Sequence, residues 1–277
     1  MKYSFLRFPD FKSRALTFSY DDGSIYDKRL VKIFNENHLK ATFNINSGLM
    51  EQSDGWRMSL DEAIALYQSG GHEIAIHGLK HLSLYDLPDH CAIDEILQDK
   101  KNLEKATGKI VRGMAYSYGA YNAKTIDLLK KLDVCYARTV CQTENFDICE
   151  NFLELNSTCH HNNGKLFKLL DDFLAKEEDG LFFKKGPKLF YVWGHSHEFE
   201  RDGNWYIIEQ FCEKVGKQET VWYATNIEII NYVNAYKNLV WSADGTRIYN
   251  PTATDIYLNY YGKETVIPSG KEMDFKI

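Results

Sequence analysis

Apolar runs rich in β-branched and aromatic residues alternate with stretches of helical period along most of the chain. Such runs predict strands and the stretches between them predict helices. The predicted strands are Ala15–Tyr20, Ala41–Asn46, Glu73–Ile76, Arg112–Tyr116, Val134–Arg138, Phe152–Leu155, Leu189–Trp193 and Val221–Ala224. The predicted helices are Asp27–His38, Ser59–Ser69, Asp89–Ala106, Ala123–Leu132, Gly164–Leu174, Trp205–Val215 and Asn226–Asn238. This alternation predicts an α/β fold with a parallel sheet, and about eight strands favour a β/α barrel over a doubly wound sheet.

The pattern changes near the C-terminus. Leu239–Asn250 places an Asp244-Gly245 turn between strand-like flanks, and Tyr257–Ile267 repeats the arrangement. These hairpin patterns lack the helices that would join parallel strands. We therefore predict a barrel over residues 1–238 and a small antiparallel β appendage packed on it over residues 239–277.

Composition narrows the class of protein without naming a function. The chain has 277 residues, a formal net charge of −6 and 44% hydrophobic residues, as in an ordinary globular protein. A mildly acidic chain is a poor match for nucleic acid or an anionic membrane. The first ten residues lack the apolar run of a secretory signal, and the six cysteines form no C-x-x-C pair. We expect a cytoplasmic protein with reduced thiols, unless a leader is missing from this sequence.

Ionisable residues collect after several predicted strands, where functional residues of a β/α barrel are found. Asp21-Asp22-Gly23, His77 with His81, Arg138 and His195 all occupy such positions. Each has a structural alternative, because Asp-Asp-Gly is a common turn and a single histidine is more often part of a hydrogen-bonded core. All of them are expected at the same rim of the barrel, and this favours a functional site.

The residue types indicate metal chemistry. One carboxylate and two neutral histidines fill half of a coordination shell and leave room for water and substrate. A second carboxylate can take a proton from that water, and a histidine on the opposite side can protonate a leaving amine. Asp21 and Asp22 would point in opposite directions on an extended strand, so the two roles can be divided between them. We predict metal-assisted hydrolysis of an amide or an ester.

Several segments resemble the polysaccharide deacetylases, also called carbohydrate esterase family 4. In order along the chain, the matching segments are Thr17-Phe18-Ser19-Tyr20-Asp21-Asp22-Gly23, Ala41-Thr42-Phe43-Asn44, Gly71-His72-Glu73-Ile74-Ala75-Ile76-His77 continuing to His81, Ala115-Tyr116-Ser117-Tyr118-Gly119-Ala120-Tyr121 and Trp193-Gly194-His195. The matches span roughly residues 14–200. The first motif and the metal-histidine motif are the most specific of them.

The resemblance implies a distorted β/α barrel of seven or eight strands that removes acyl groups from N-acylated sugars. It implies that Asp21 is the catalytic base, that Asp22, His77 and His81 bind a divalent metal, and that His195 is the catalytic acid. It also implies that the backbone N–H of Tyr118 helps to hold the oxyanion. Zinc is the expected metal, with cobalt, nickel, iron and manganese as alternatives.

The sequence also departs from the family pattern. Ala115 stands where the family often has an arginine that contacts the base, and Arg138 is the candidate replacement. The fourth motif, an Asp-rich segment with tryptophan, is not recognisable. His197 and Glu198 extend the late histidine motif as candidate supporting residues. The His160-His161 pair follows a predicted strand and could line the rim, but we expect it in a surface loop. We expect structural roles for His38, His72 and His90.

The leading hypothesis is a metal-dependent deacetylase that acts on an N-acetylated sugar or a short oligosaccharide. Aromatic residues near the motifs could stack on a neutral sugar, although most of the aromatic 14% of the chain is expected in the core. One alternative is an amidase for a small non-sugar amide. Another is a catalytically silent barrel that binds carbohydrate. The sequence does not indicate the oligomeric state.

Overall fold

The computed structural model describes residues 3–50, 55–175 and 186–275. The strands are β1 (Leu6–Arg7), β2 (Arg14–Asp21), β3 (Ala41–Ile45), β4 (Glu73–Ile76), β5 (Gly113–Ala115), β6 (Tyr136–Gln142), β7 (Leu155–Ser157), β8 (Cys159–His160), β9 (Lys188–Gly194), β10 (Val221–Tyr223), β11 (Val240–Trp241), β12 (Arg247–Tyr249), β13 (Ile256–Tyr260), β14 (Lys263–Ile267) and β15 (Glu272–Asp274). The helices are α1 (Asp27–Glu36), α2 (Leu60–Ser69), α3 (Asp89–Thr107), α4 (Ala123–Lys131), α5 (Leu166–Leu174), α6 (Ser196–Asp202), α7 (Tyr206–Val215) and α8 (Asn226–Lys237). None of the helices in these ranges combines the length and apolar character of a membrane span.

The central sheet is parallel and forms a distorted barrel, which confirms the predicted fold class. Its strands follow the order β7-β6-β5-β4-β3-β2-β9-β8. Strands β7 and β8 are separated only by Thr158; β7 pairs with β6 and β8 pairs with β9, so this segment links the two ends of the order. Strand β10 pairs with the first half of β2, below the point where β3 begins to pair.

Alternation along the strands separates an apolar outer layer from a polar lumen. On β2, Phe18 packs against Phe34 of α1, with ring centroids 4.6 Å apart. Its neighbour Ser19, which points to the opposite face, instead accepts a hydrogen bond from Asn44 of β3 at 2.8 Å. Side chains that face the lumen alternate with side chains that face the helices. Asp21 is two residues beyond Ser19, so its side chain also faces the lumen, at the end of β2.

The sequence misplaced one strand and missed a helix. Phe152–Glu154, predicted as the main part of a strand, is a 3-10 helix whose N-cap is Asn151, and strand pairing begins only at Leu155. The Asn151 side chain accepts the Leu153 N–H, a local bond that favours a turn over a strand. Helix α6 was not predicted because its seven residues are too few to show a helical period.

The C-terminal residues form two small antiparallel sheets, with orders β1-β13-β14 and β11-β12-β15. Both predicted hairpins are present, as β11–β12 and β13–β14. Strand β1, from the N-terminus, pairs with β13 through Leu6 opposite Leu258. The hydroxyl of Tyr232 on α8 also donates to the Arg7 carbonyl at 2.7 Å, which ties α8 to β1. The division of the chain at residue 239 stays a prediction.

Candidate metal and catalytic site

Asp21 ends β2 with its carboxylate buried at the rim of the lumen. Its Oδ1 accepts a hydrogen bond from Asn44 Nδ2 at 2.8 Å, and its Oδ2 accepts one from Arg138 Nη2. Burial raises the pKa of Asp21, but the charge of Arg138 and the nearby histidines outweigh it and lower the pKa to about 2. Asp21 is therefore held as a carboxylate.

Asp22, His77 and His81 form a compact group beside Asp21. Asp22 Oδ1 lies 3.8 Å from Nε2 of His77 and 3.8 Å from Nε2 of His81. Within the described residues, the donor atoms of these three side chains all lie within 4.8 Å of one another. They come from two loops, after β2 and after β4, as the motif positions predict.

Local backbone conformation brings these side chains together. Asp22 and His81 have φ of +80° and +57°, and Tyr118 of the neighbouring loop has +59°. Residues other than glycine seldom adopt positive φ, and such positions cluster at functional sites. Asp22 is thus not extended, so the expectation that Asp21 and Asp22 point in opposite directions is wrong. Both carboxylates approach His77 Nε2, at 3.8 Å each.

The three side chains fit a divalent metal. His77 Nδ1 lies 2.9 Å from the Ala115 carbonyl, and the hydrogen bond places the proton on Nδ1 and leaves the Nε2 lone pair facing Asp22. The backbone N–H of His77 also donates to the buried carboxylate of Asp99 at 3.1 Å. A site of one carboxylate oxygen and two imidazole nitrogens suits zinc and leaves positions open, as catalytic zinc sites do.

Arg138 lies fully buried on β6, with its guanidinium 4.4 Å from the ring centroid of Trp193. It contacts Asp21, so it provides a cation where Ala115 of the third motif cannot. Strands β5 and β6 pair with Ala115 opposite Arg138. Asp21 therefore receives its cation from the strand adjacent to Ala115.

His195 follows β9 and faces both carboxylates. Its Nε2 lies 3.7 Å from Asp21 Oδ2 and 4.0 Å from Asp22 Oδ2, while its Nδ1 lies 3.6 Å from Glu198 Oε2. Burial lowers the pKa of His195, but Glu198 and the two aspartates raise it, and the net change is upward. The imidazole is thus biased toward the protonated form.

Tyr118 stands at the open side of the group. Its side chain is 70% exposed, and its ring lies 4.5 Å from that of His81. Tyr116 is instead buried and stacks on Tyr121, with ring centroids 4.7 Å apart. Of these three aromatic residues, Tyr118 is the one placed to meet a ligand.

Sequence reasoning misplaced the His160-His161 pair. His161 is 1% exposed rather than in a surface loop, and Nε2 of each histidine lies 3.1 Å from Glu198 Oε2. His160 lies on strand β8. The sequence signal that could have placed the pair at the rim is its position after the predicted strand Phe152–Leu155. His72 does have a structural place, because it accepts the Ala41 N–H at 3.1 Å.

Residues 9–137, just under half of the chain, match the model of the family described as "Polysaccharide deacetylase". The match includes the loop after β2 and both histidines of the group that fits a metal. Over these residues the chain is similar to the polysaccharide deacetylases. No curated protein sequence matches it significantly.

Two solved structures with TM-scores of 0.61 and 0.60 share the fold at low identity. The PuuE allantoinase is 15% identical with a TM-score of 0.61, over 81% of this chain and 91% of that one. A probable polysaccharide deacetylase from Pseudomonas aeruginosa is 16% identical with a TM-score of 0.60, over 81% and 92%. The Streptococcus pyogenes deacetylase PplD, in complex with acetate, is 22% identical with a TM-score of 0.47. That match covers 50% of this chain and 61% of PplD.

Proposed function

We propose that this protein is a divergent polysaccharide deacetylase, a metal-dependent hydrolase that removes an acetyl group from an N-acetylated sugar or a short oligosaccharide. One observation carries the proposal: two carboxylates and three imidazoles, Asp21, Asp22, His77, His81 and His195, converge at one rim of the barrel. The side chains include a base and an acid in addition to the metal ligands. A barrel that only binds carbohydrate would not require either of them.

Asp22, His77 and His81 would hold the metal ion, for which zinc is the leading candidate. When bound, the ion supplies polarisation of the acyl carbonyl and a lowered pKa of the attacking water. Asp21 takes the proton of that water, since Arg138 keeps it ionised while each of its oxygens retains a second lone pair. The backbone N–H of Tyr118 is assigned to the carbonyl oxygen as charge develops there.

His195 gives a proton from Nε2 to the amide nitrogen as the C–N bond breaks. Acetate and a free amine leave, and the proton taken by Asp21 balances the one that His195 gave up. Nε2 of His195 lies 3.7 Å from Asp21 Oδ2, so the acid and the base face the same side of the site. The exposed ring of Tyr118 provides an apolar face for a pyranose at the same opening.

The test is acetate release from N-acetylglucosamine oligomers by protein loaded in turn with zinc, cobalt, nickel, iron or manganese. We expect turnover with at least one metal, and loss of turnover after chelation that metal addition restores. Asp22→Asn should weaken metal binding, measured as bound metal per chain after dialysis. His38→Asn, a change at a turn residue outside the site, is the control.

The alternatives give different results in this assay. Release from a panel of small non-sugar amides, without release from the oligomers, would favour an amidase. Retained binding of the oligomers with no release under any metal would favour a silent carbohydrate-binding barrel. A protein whose metal content is unchanged by Asp22→Asn would contradict the ligand assignment.

A further inference from the structure

One carboxylate oxygen meets three imidazoles beside the candidate site. Glu198 Oε2, from α6, lies 3.1 Å from Nε2 of His160, 3.1 Å from Nε2 of His161 and 3.6 Å from Nδ1 of His195. Oε2 and His195 Nδ1 are both shielded from solvent, and neither has a contact of hydrogen-bond geometry within the described residues. Because buried polar atoms are nearly always paired, the carboxylate is the natural acceptor for His195 Nδ1–H once a substrate closes the site.

Two further imidazoles face the same carboxylate oxygen, and each has contacts of its own. The His161 ring is stacked on Phe199, with centroids 4.0 Å apart, and a Cβ at Gly194 would overlap it. His160 Nδ1 accepts the Asn162 N–H at 3.1 Å, so the proton of neutral His160 is on Nε2, which faces Glu198. Two of the three imidazoles are thus fixed by their own surroundings.

The protonation of this cluster argues against a second metal. His160, His161 and Glu198 offer donor atoms close enough together to hold an ion. A metal requires the free lone pair of an imidazole nitrogen, and His160 presents an N–H to the carboxylate instead. Burial raises the pKa of Glu198, but the three histidines lower it further, to well below its usual range. An ionised carboxylate that faces the N–H of neutral His160 is the consistent description.

We propose that Glu198 is a positioning residue, which orients His195 so that Nε2 delivers its proton to the leaving nitrogen. The inference rests on the proposed function, because it assigns Glu198 a part in the same reaction. A carboxylate at Nδ1 fixes the orientation of an imidazole and stabilises its protonated form. The carboxylate comes from α6, the helix that follows His195 directly, and not from a separate strand.

This role predicts a dependence on the leaving group. Cleavage of an amide requires a proton on the departing nitrogen, whereas a nitrophenolate leaves without one. Loss of Glu198 should therefore slow the hydrolysis of amides and spare the hydrolysis of an activated aryl ester. Damage to the metal group or to the fold would slow both reactions.

The experiment compares Glu198→Gln with the wild-type protein on N-acetylglucosamine oligomers and on 4-nitrophenyl acetate, with the same metal. We expect kcat for the oligomers to fall about 10- to 100-fold at nearly constant KM, and kcat for the ester to change less than about threefold. Glu213→Gln, on the exposed face of α7, is the matched control and should change neither. Glu198→Gln in a His195→Ala background should add no further loss, because the residue acts through His195.

Equal losses on both substrates, or no loss on either, would overturn the positioning role while leaving the proposed function intact. A second equivalent of bound metal that disappears in Glu198→Gln would overturn it in favour of a metal site. A wild-type protein inactive on both substrates with every metal would overturn the proposed function, and the role of Glu198 with it.

Discussion

Two carboxylates, buried Asp21 and half-buried Glu73, lie at opposite ends of the barrel lumen, and the same strand gives each of them a partner. Asp21 ends β2 at the site rim and contacts Arg138 of β6. Glu73 begins β4 at the other end, where its Oε1 accepts a hydrogen bond from the Tyr136 hydroxyl at 2.7 Å. Arg138 and Tyr136 are two residues apart, so both side chains point to the same face of the strand. One carboxylate has a cation and the other has only neutral donors.

The difference in partner separates the ionisation of the two groups. Glu73 accepts further bonds from the Thr42 hydroxyl and the Ile227 N–H, both at 2.8 Å, yet burial raises its pKa to about 7. Asp21 is also buried, and the charge of Arg138 lowers its pKa to about 2. Neutral hydrogen bonds thus hold a carboxyl group in place, while a buried cation also keeps it charged.

Asp21→Asn against Glu73→Gln is the strongest test of this difference. We expect Asp21→Asn to lower kcat for acetate release by about 10³-fold or more, because the amide cannot accept the proton of the attacking water. Glu73→Gln should stay within about twofold of wild type, since Glu73 lies at the other end of the lumen. Steady-state kinetics with the same metal loading measure both effects.

Metal content separates loss of the base from loss of the metal. Asp21→Asn should keep the bound metal of the wild-type protein, because Asp22, His77 and His81 are unchanged. Near-full activity in Asp21→Asn would contradict its assignment as the base. Equal losses in the two variants would contradict the distinction between the two ends of the barrel.

Arg138→Met tests what the cation contributes. The variant leaves Asp21 buried without a cation, and removal of one partner from a buried ion pair costs about 3–5 kcal/mol of folding free energy. It should also lower kcat about 10- to 100-fold through the misplaced base. Urea denaturation and acetate release measure the two quantities. Arg112→Met, which changes an exposed arginine on the segment before β5, is the control. Wild-type stability in Arg138→Met would show that the ion pair is dispensable.

Much of the fold followed from the sequence because apolar runs alternate with stretches of helical period along most of the chain. On β2, Phe18 and Ser19 already show which face meets the helices and which enters the lumen. The end of this strand then places Asp21 and Asp22 at the rim, as predicted. The motif after β4 likewise placed His77 and His81 on the same rim, and the structure brings them within reach of Asp22.

The rest depends on contacts that periodicity does not encode. The positive φ of Asp22, which turns its carboxylate toward the histidines, is a tertiary outcome. The approach of Glu198 to three imidazoles depends on β8 pairing beside β9, which brings His160 and His161 to α6. Strand β8 has two residues, and so short a strand leaves no alternation to read.

The raised pKa of Glu73 predicts a particular pH dependence of stability. The pKa of Glu73 is about 7 in the folded protein, against 4.5 in the unfolded chain. A carboxyl group shifted in this direction makes its full contribution to folding stability below pH 4.5. Its contribution is lost as the pH rises toward 7, because only the unfolded chain ionises readily in that window. Among the surrounding groups, Tyr136 and Thr42 donate to Glu73, and Glu228 of α8 opposes its ionisation.

Glu73→Gln should remove this dependence. Between pH 4.5 and 7, the free energy of unfolding of the wild-type protein should fall relative to the variant by on the order of 1 kcal/mol. Urea denaturation of both proteins across this range measures the difference, and Glu213→Gln is the exposed control. A constant difference, or one of opposite sign, would show that Glu73 is ionised throughout the range.

Tyr136→Phe is expected to have the smallest effect and to reach only the lower end of the lumen. The change removes the hydroxyl that donates to Glu73 Oε1 but keeps the aromatic ring. Gly113 packs directly against this ring, too closely for a side chain at that position. Loss of this half-buried hydrogen bond should cost about 0.5 kcal/mol in thermal or urea denaturation. Acetate release should be unchanged, and Tyr206→Phe, an exposed tyrosine on α7, should change neither quantity. A large loss of activity would mean that the two ends of the lumen are coupled through β6, because Tyr136 and Arg138 lie on the same strand.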